Sequence, residues 1–488
     1  MKQKQPVIPA SGPRHRAGGS ANRDPRRSGW AGPGSRAMRS PGMTFFALIL
    51  LVLLIPTFAQ AITVKTVQGP TGVETWLSEE HALPMIAVNI SFPAGSAYDP
   101  PDKPGLANMT ASLLDEGAGD LATDAFKQAM ESRAIRFQAA ADRDYIVVTL
   151  TTLKENADEA FRLAALAFAH PRFDAEAVER MRVAILASEK QQDEDPARAA
   201  VKAWYAAYFG AHPYGRPPDG TPAGIAAIKP GDIKAFAADH LVRGGIKVAV
   251  SGDITEVQLK KYLQALFTPL PAKSVPPVAK PTDAGKPHTQ SIPRDERAPV
   301  AVFGFEGPMR ADPDFIPVFV TNYIFGGGGF SARLMDEVRD KRGLTYGIST
   351  NMDDFRSASI IVGEVQSDKT KIATALDVTK SEMARFAKDG ATAKELADTK
   401  TYLTGSFPLG LDSNAKIART LNGYQRSGLP ADYVVRRNAM IEAVSLAQVN
   451  QMAKRYYDPA RLVVVVVGTP AAAAPAQKPQ NAPAAAAR

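Results

Sequence analysis

Asp232–Asp253 reads DIKAFAADHLVRGGIKVAVSGD, and Gln448–Thr469 reads QVNQMAKRYYDPARLVVVVVGT. Each is an amphipathic helix, a polar break and a β-branched strand that ends in glycine. Working outward, the upstream strands repeat as well. Met85–Phe92 (MIAVNISF) runs into Pro93-Ala94-Gly95, and Val300–Phe305 (VAVFGF) runs into Glu306-Gly307-Pro308. Gly252 and Gly468 are 216 residues apart, and Phe92 and Phe305 are 213 apart. A near-constant offset over so long a span indicates a duplicated domain. Between the copies, residues 271–298 (PAKSVPPVAKPTDAGKPHTQSIPRDERA) are rich in Pro, Lys and Asp and read as a linker. The copies are then 62–270 and 299–469. Asp144–Thr151 alternates at period two, whereas Glu159–Ala169 and Ala175–Gln191 carry helical composition. The expected fold class is α+β: two homologous domains, each a largely antiparallel sheet packed with helices.

The whole chain has 488 residues, with 58 Lys+Arg, 50 Asp+Glu and no Cys. The missing cysteines exclude disulfides, thiolate zinc sites, iron–sulfur clusters and cysteine nucleophiles. The excess positive charge sits at the start: residues 1–61 hold nine basic residues and one acid, which leaves 49 of each sign in 62–488. The folded part therefore has no bulk attraction for a polyanion such as nucleic acid. The Gly/Pro/Ser/Arg-rich leader is followed by fourteen residues, Phe45–Phe58 (FFALILLVLLIPTF), and by Ala59-Gln60-Ala61. A basic flank, a short apolar run and a small-x-small end read as a secretory signal peptide cut after Ala61, with Met38 or Met43 as alternative starts. The run is shorter than the roughly 20 residues of a spanning helix, so an uncleaved anchor is the second reading. A bacterial periplasm fits an exported chain without disulfides. Residues 470–488 are an Ala/Pro-rich tail.

Three further segments carry chemistry. They are Gly105–Leu114 (GLANMTASLL), Ala211–Pro217 (AHPYGRP) with Gly220-Thr221, and Phe330–Tyr346 (FSARLMDEVRDKRGLTY). In this order and spacing, on a duplicated fold, they resemble the pitrilysin family of inverted-motif zinc metallopeptidases, which includes mitochondrial processing peptidases and insulin-degrading enzymes. The resemblance covers about 62–469 and implies a half clam shell.

Active members carry H-x-x-E-H on the first of these segments. Two His at i and i+4 share a helix face and bind one zinc, and the Glu between them polarises the bound water. Aligned with that motif, the first His is Asn108, the Glu is Ala111 and the second His is Ser112. The family's third ligand aligns with Glu189, a relic ligand or else part of a solvated acidic helix end with Asp193, Glu194 and Asp195. None of the six His residues (15, 81, 170, 212, 240, 288) is paired at a spacing of four. The expectation is a chain without its own metal or cofactor.

Arg339 and Tyr346 match the family's substrate-binding pair, a permanent forked cation and a neutral hydroxyl donor that stabilise the developing oxyanion. Arg339 is expected near the end of a helix Ser331–Arg342 that Gly343 stops, and Tyr346 on the following strand. The resemblance thus implies a subunit inactive alone, which lends Arg339 and Tyr346 in trans to a zinc-bearing paralogue in a heterodimer acting on peptides. The alternative is a non-catalytic structural or peptide-binding scaffold. Two other features have plainer readings. His212 reads as a loop stabiliser, and Gly326–Gly329 (GGGG), with no Gly-Lys-Ser/Thr after it, as a flexible or close-packed connection rather than a phosphate loop. Ile135–Ala141 matches the family's substrate-pairing edge strand, with an ordinary sheet edge as the equal alternative.

Overall fold

The computed structural model describes residues 62–469. The proposed signal run and the C-terminal tail lie outside these residues; among the described ones, no helix is long and apolar enough to cross a membrane.

The first repeat contributes β1 (Lys65–Gln68), β2 (Glu74–Glu79), β3 (Met85–Phe92), a short ribbon β4 (Gly117–Ala118) and β5 (Leu121–Ala122), then β6 (Arg136–Ala141), β7 (Ile146–Leu153) and β8 (Lys247–Gly252). The second contributes β9 (His288–Ile292), β10 (Val300–Glu306), β11 (Ile348–Asp354), β12 (Ser359–Gln366) and β13 (Val463–Val467). The sheet orders are β1-β2-β8-β3-β7-β6 and β11-β12-β10-β13-β9. Without β1 they are one topology drawn twice. In each sheet one pairing is parallel, β2 with β8 and β9 with β13, and the other pairings are antiparallel. The α+β duplication expected from the sequence is the observed fold.

The repeat extends to backbone detail. β8 ends on Gly252 at φ +139°, where a β-carbon would stand 2.1 Å from Met85 O. Gly468, after β13, has φ +116° and lies against Pro299. Both positions need a left-handed turn and a close backbone approach, which only glycine supplies without strain.

The stretch read as a linker needs correction. Its C-terminal part is β9, in parallel register with β13 from Val463↔His288 to Val467↔Ile292. It is therefore the first strand of the second repeat, the counterpart of β2. A valine-rich strand buried on both faces needs hydrogen-bond partners on both sides, and β9 supplies one of them.

The helices that matter for the site are α1 (Leu106–Ser112), α2 (Ala175–Glu194), α3 (Pro196–Phe209), α4 (Ile372–Asp389) and α5 (Asn414–Arg426). Asp195 caps α3 by accepting from Ala197 N at 2.9 Å, and Pro196 stands at its first turn. One face of each sheet packs on helices of its own repeat. The opposite faces are covered by exchange. α3, from the first repeat, lies on β10 and β13, where Trp204, Tyr205, Tyr208 and Phe209 cover Val300, Val302, Val463 and Val465. α5, from the second, lies on β3 and β8, where Asn422 accepts from Ser91 Oγ at 2.6 Å and donates to Asn89 O at 3.2 Å and Lys247 O at 3.0 Å. Asp144 bridges the two sheets' hairpins, accepting from Tyr214 OH at 2.6 Å and from Arg356 N at 2.9 Å. The described residues 62–469 consequently belong to one compact unit.

Candidate functional site

The helix that aligns with the zinc motif is α1, a short seven-residue element. Its start is fixed by the buried Asp99 carboxylate, which accepts from Gly105 N at 2.7 Å and Ala107 N at 2.8 Å. Gly105 (φ +106°) and Gly220 (φ +95°) meet with room for neither to carry a β-carbon. Arg216 donates to Asp99 O at 2.8 Å. The second sequence motif thus exists, physically, to brace the first. His212 accepts from Tyr214 N at 3.2 Å, and its other ring nitrogen lies 2.9 Å from Ala279 O, so it holds a loop as read from the sequence.

The residues on α1 do not fit a zinc ion. The Asn108 amide is turned to Asp219 O at 3.4 Å, Ala111 is sealed in the first core, and Ser112 is half-buried. Glu189 on α2 is buried, not solvated as one reading had it, and its carboxylate accepts from Lys202 Nζ of α3 at 3.0 Å. Asp193 shares the same ammonium at 3.1 Å. A lysine is therefore already the counter-cation of the one aligned carboxylate. Among the described residues, no group of three or more His, Cys, Asp and Glu could hold a metal ion.

Arg339 and Tyr346 line a common cavity of about 1380 Å³. It opens on the part of the second sheet that α3 leaves uncovered, with Ser349 and Asn351 of β11 and Val362 and Glu364 of β12 in its wall. Arg339 lies in a π-helical turn, Met335–Asp340, that follows a 3₁₀ turn Gly329–Ser331. The expected single helix Ser331–Arg342 is thus two pieces, and such π turns concentrate at functional sites. The Arg339 guanidinium lies 4.7 Å over the Phe330 ring and 3.7 Å from Asp340 Oδ1. Gly343 ends the helix as expected, donating to Arg339 O at 2.8 Å. Tyr346 is not on the strand. It sits in a bend just before β11 and is 98% exposed. Its neighbour Thr345 pins that bend, donating to Gln366 O at 2.6 Å and Gly347 O at 2.8 Å. Gly326 in the glycine run is close-packed, since a β-carbon there would meet Thr350 Oγ1 at 2.4 Å.

The turn that carries Arg339 is held from behind by Glu337, which the sequence reading missed. Glu337 is buried and accepts from Lys341 at 2.8 Å, Arg342 at 2.6 Å and Arg385 of α4 at 2.6 Å. Burial pushes its carboxyl up, but the three cations outweigh that and hold it at about 2. A depressed carboxylate stabilises the fold above its unfolded value near 4.5, and that contribution is lost as the pH falls toward 2. Glu337→Gln is therefore expected to cost about 2–3 kcal/mol at pH 7. In melts followed by circular dichroism, the gap to wild type should close as the pH approaches 2. A gap independent of pH would contradict the ion-pair account.

A second cavity of about 410 Å³ lies beside the first, with Glu189, Lys202 and Asp219 in its wall. The two cavities share Val201, Tyr205 and Glu364. The surroundings of Glu189 and the Arg339/Tyr346 wall thus meet around α3. β6 is a sheet edge, paired only with β7 among the described strands.

Comparison with known proteins agrees with this geometry. Residues 76–221 match the insulinase (peptidase family M16) model, and residues 227–403 match the peptidase M16 inactive domain. The chain is 26% identical to a Helicobacter pylori protein named "Non-peptidase homolog YmxG", over 87% of this chain and 98% of that one. It is 22% identical to a Bacillus subtilis "Uncharacterized zinc protease YmxG", over 81% and 96%. A crystal structure of a peptidase M16 inactive domain from Pseudomonas fluorescens superposes with a TM-score of 0.80 at 28% identity, covering 85% of this chain and all of that one. A subunit of complex III from Candida albicans shares the fold, with a TM-score of 0.68 at 16% identity over 83% of this chain and 96% of that one. With both repeats matched, the chain belongs to the M16 peptidase family, and it carries Asn108, Ala111 and Ser112 where the zinc motif would stand.

Proposed function

We propose that this chain is the metal-free subunit of a two-chain zinc peptidase. The observation that carries the reading is that Arg339 and Tyr346 face one large open cavity while α1, beside the adjoining cavity, has no metal ligand to offer. A paralogue with an intact H-x-x-E-H helix supplies the zinc and the water it activates. This chain contributes the Arg339 guanidinium, which grips a peptide carbonyl, and the Tyr346 hydroxyl, which donates to the oxygen that gains charge. The edge of β6 offers an extended substrate main-chain hydrogen bonds. Reconstitution from separately purified chains tests the reading: peptide cleavage should require both, and this chain alone should carry no stoichiometric zinc. Cleavage by this chain alone, abolished by a chelator, would overturn it.

A second reading, a structural or peptide-binding scaffold, is favoured by the "Non-peptidase homolog" from Helicobacter pylori. It predicts that no peptidase depends on Arg339 or Tyr346. In either case we propose export to the periplasm with cleavage after Ala61, the uncleaved membrane anchor being the alternative. N-terminal sequencing of the periplasmic fraction should begin at Ile62.

A further inference from the structure

Of the three acids in the wall of the large cavity, two are satisfied: Asp353 accepts from Tyr205 OH at 2.5 Å and Asp368 from Thr370 Oγ1 at 2.6 Å. The third, Glu364, differs. It projects from β12 between Ser349 of β11 and Val302 of β10, its cross-strand partners. Val201 and Tyr205 of α3 flank it, and it belongs to both cavities. It is half-buried and has neither a hydrogen-bond donor nor an ion-pair partner among the described residues. Burial and the nearby Asp195 both push its carboxyl up, and no cation pulls it down. The cations of the smaller cavity are committed elsewhere: Lys202 to Glu189 and Asp193, Arg198 to Gln192 at 3.1 Å, and Arg143 over the Tyr205 ring at 3.7 Å. A carboxylate held against burial without a partner lacks its counter-charge in the free protein.

We propose that Glu364 is a recognition carboxylate for a lysine or arginine side chain of a peptide lying in this cavity. The proposal rests on the peptide-binding reading of the Arg339/Tyr346 wall. The test is fluorescence-anisotropy titration of the full mature chain with arginine-containing peptides and their citrulline counterparts, which keep the shape and lose the charge. Wild type should prefer arginine by about tenfold, the scale of one charge-assisted contact. Glu364→Gln should erase that preference and leave citrulline-peptide affinity unchanged, and Glu364→Lys should reverse it toward glutamate-containing peptides. Binding without charge preference, or an unaltered preference in Glu364→Gln, overturns this proposal and leaves the peptide-binding reading standing. Wild-type chain that melts cooperatively yet binds none of the peptides overturns both.

Discussion

Trp204→Ala is expected to lower the thermal midpoint by about 5 °C, a larger stability loss than that of Glu337→Gln. Trp204 is fully buried on α3, stacks on Tyr208 with ring centroids 4.8 Å apart, and donates from Nε1 to Val463 O at 2.9 Å. Its ring fills the space above Gly304, where even a β-carbon would stand 2.6 Å from the indole. The strands around that contact are held by their own ladders and cannot collapse into the void. A large aromatic lost without relaxation costs about 3–5 kcal/mol. At roughly 1.2 °C per kcal/mol for one cooperative unit of about 400 residues, the stated shift follows. Because the indole belongs to the first repeat and the wall to the second, the loss should appear as one lowered cooperative transition. Two separated transitions would show that the helix exchange does not couple the halves.

The second large effect is on turnover. In the reconstituted two-chain enzyme, Arg339→Ala or Tyr346→Phe in this chain should each reduce kcat by roughly 10²–10³, as removal of one oxyanion donor does elsewhere. The loss should fall on kcat more than on KM for Tyr346→Phe, since a donor aimed at developing charge acts mainly in the transition state. Tyr346 is 98% exposed and Arg339 is held only by a ring face and one loose ion pair, so neither change should alter the melting curve. That separates a functional role from a structural one. Full activity of the Arg339→Ala/Tyr346→Phe double variant would remove the trans-donor role and leave the scaffold reading.

The duplication was readable because glycine-ended valine strands recur at a fixed offset, and the site pair because Arg339 and Tyr346 stand in a recognisable frame. What escaped the sequence has physical causes. β9 reads HTQSI, an edge strand with four of its five residues exposed, so no apolar alternation betrays it. Tyr346 was expected on β11, but Gly343 and Gly347 flank it and Thr345 spends its hydroxyl on the loop. Glu189 and Lys202 lie on separate helices, and only the break at Asp195-Pro196 brings them together. Glu337 and Glu364 look like ordinary charges in one dimension, and only burial separates one with three partners from one with none.

The crossing of α3 and α5 has a consequence for how such a chain can be divided. Cut near residue 280, neither fragment keeps its own roof: one would bare the β3/β8 surface and carry an orphan aromatic helix, and the other the reverse. Each piece would be adhesive toward its missing half, so the two should be inherited, expressed and engineered as an indivisible pair, even though they descend from one ancestral unit.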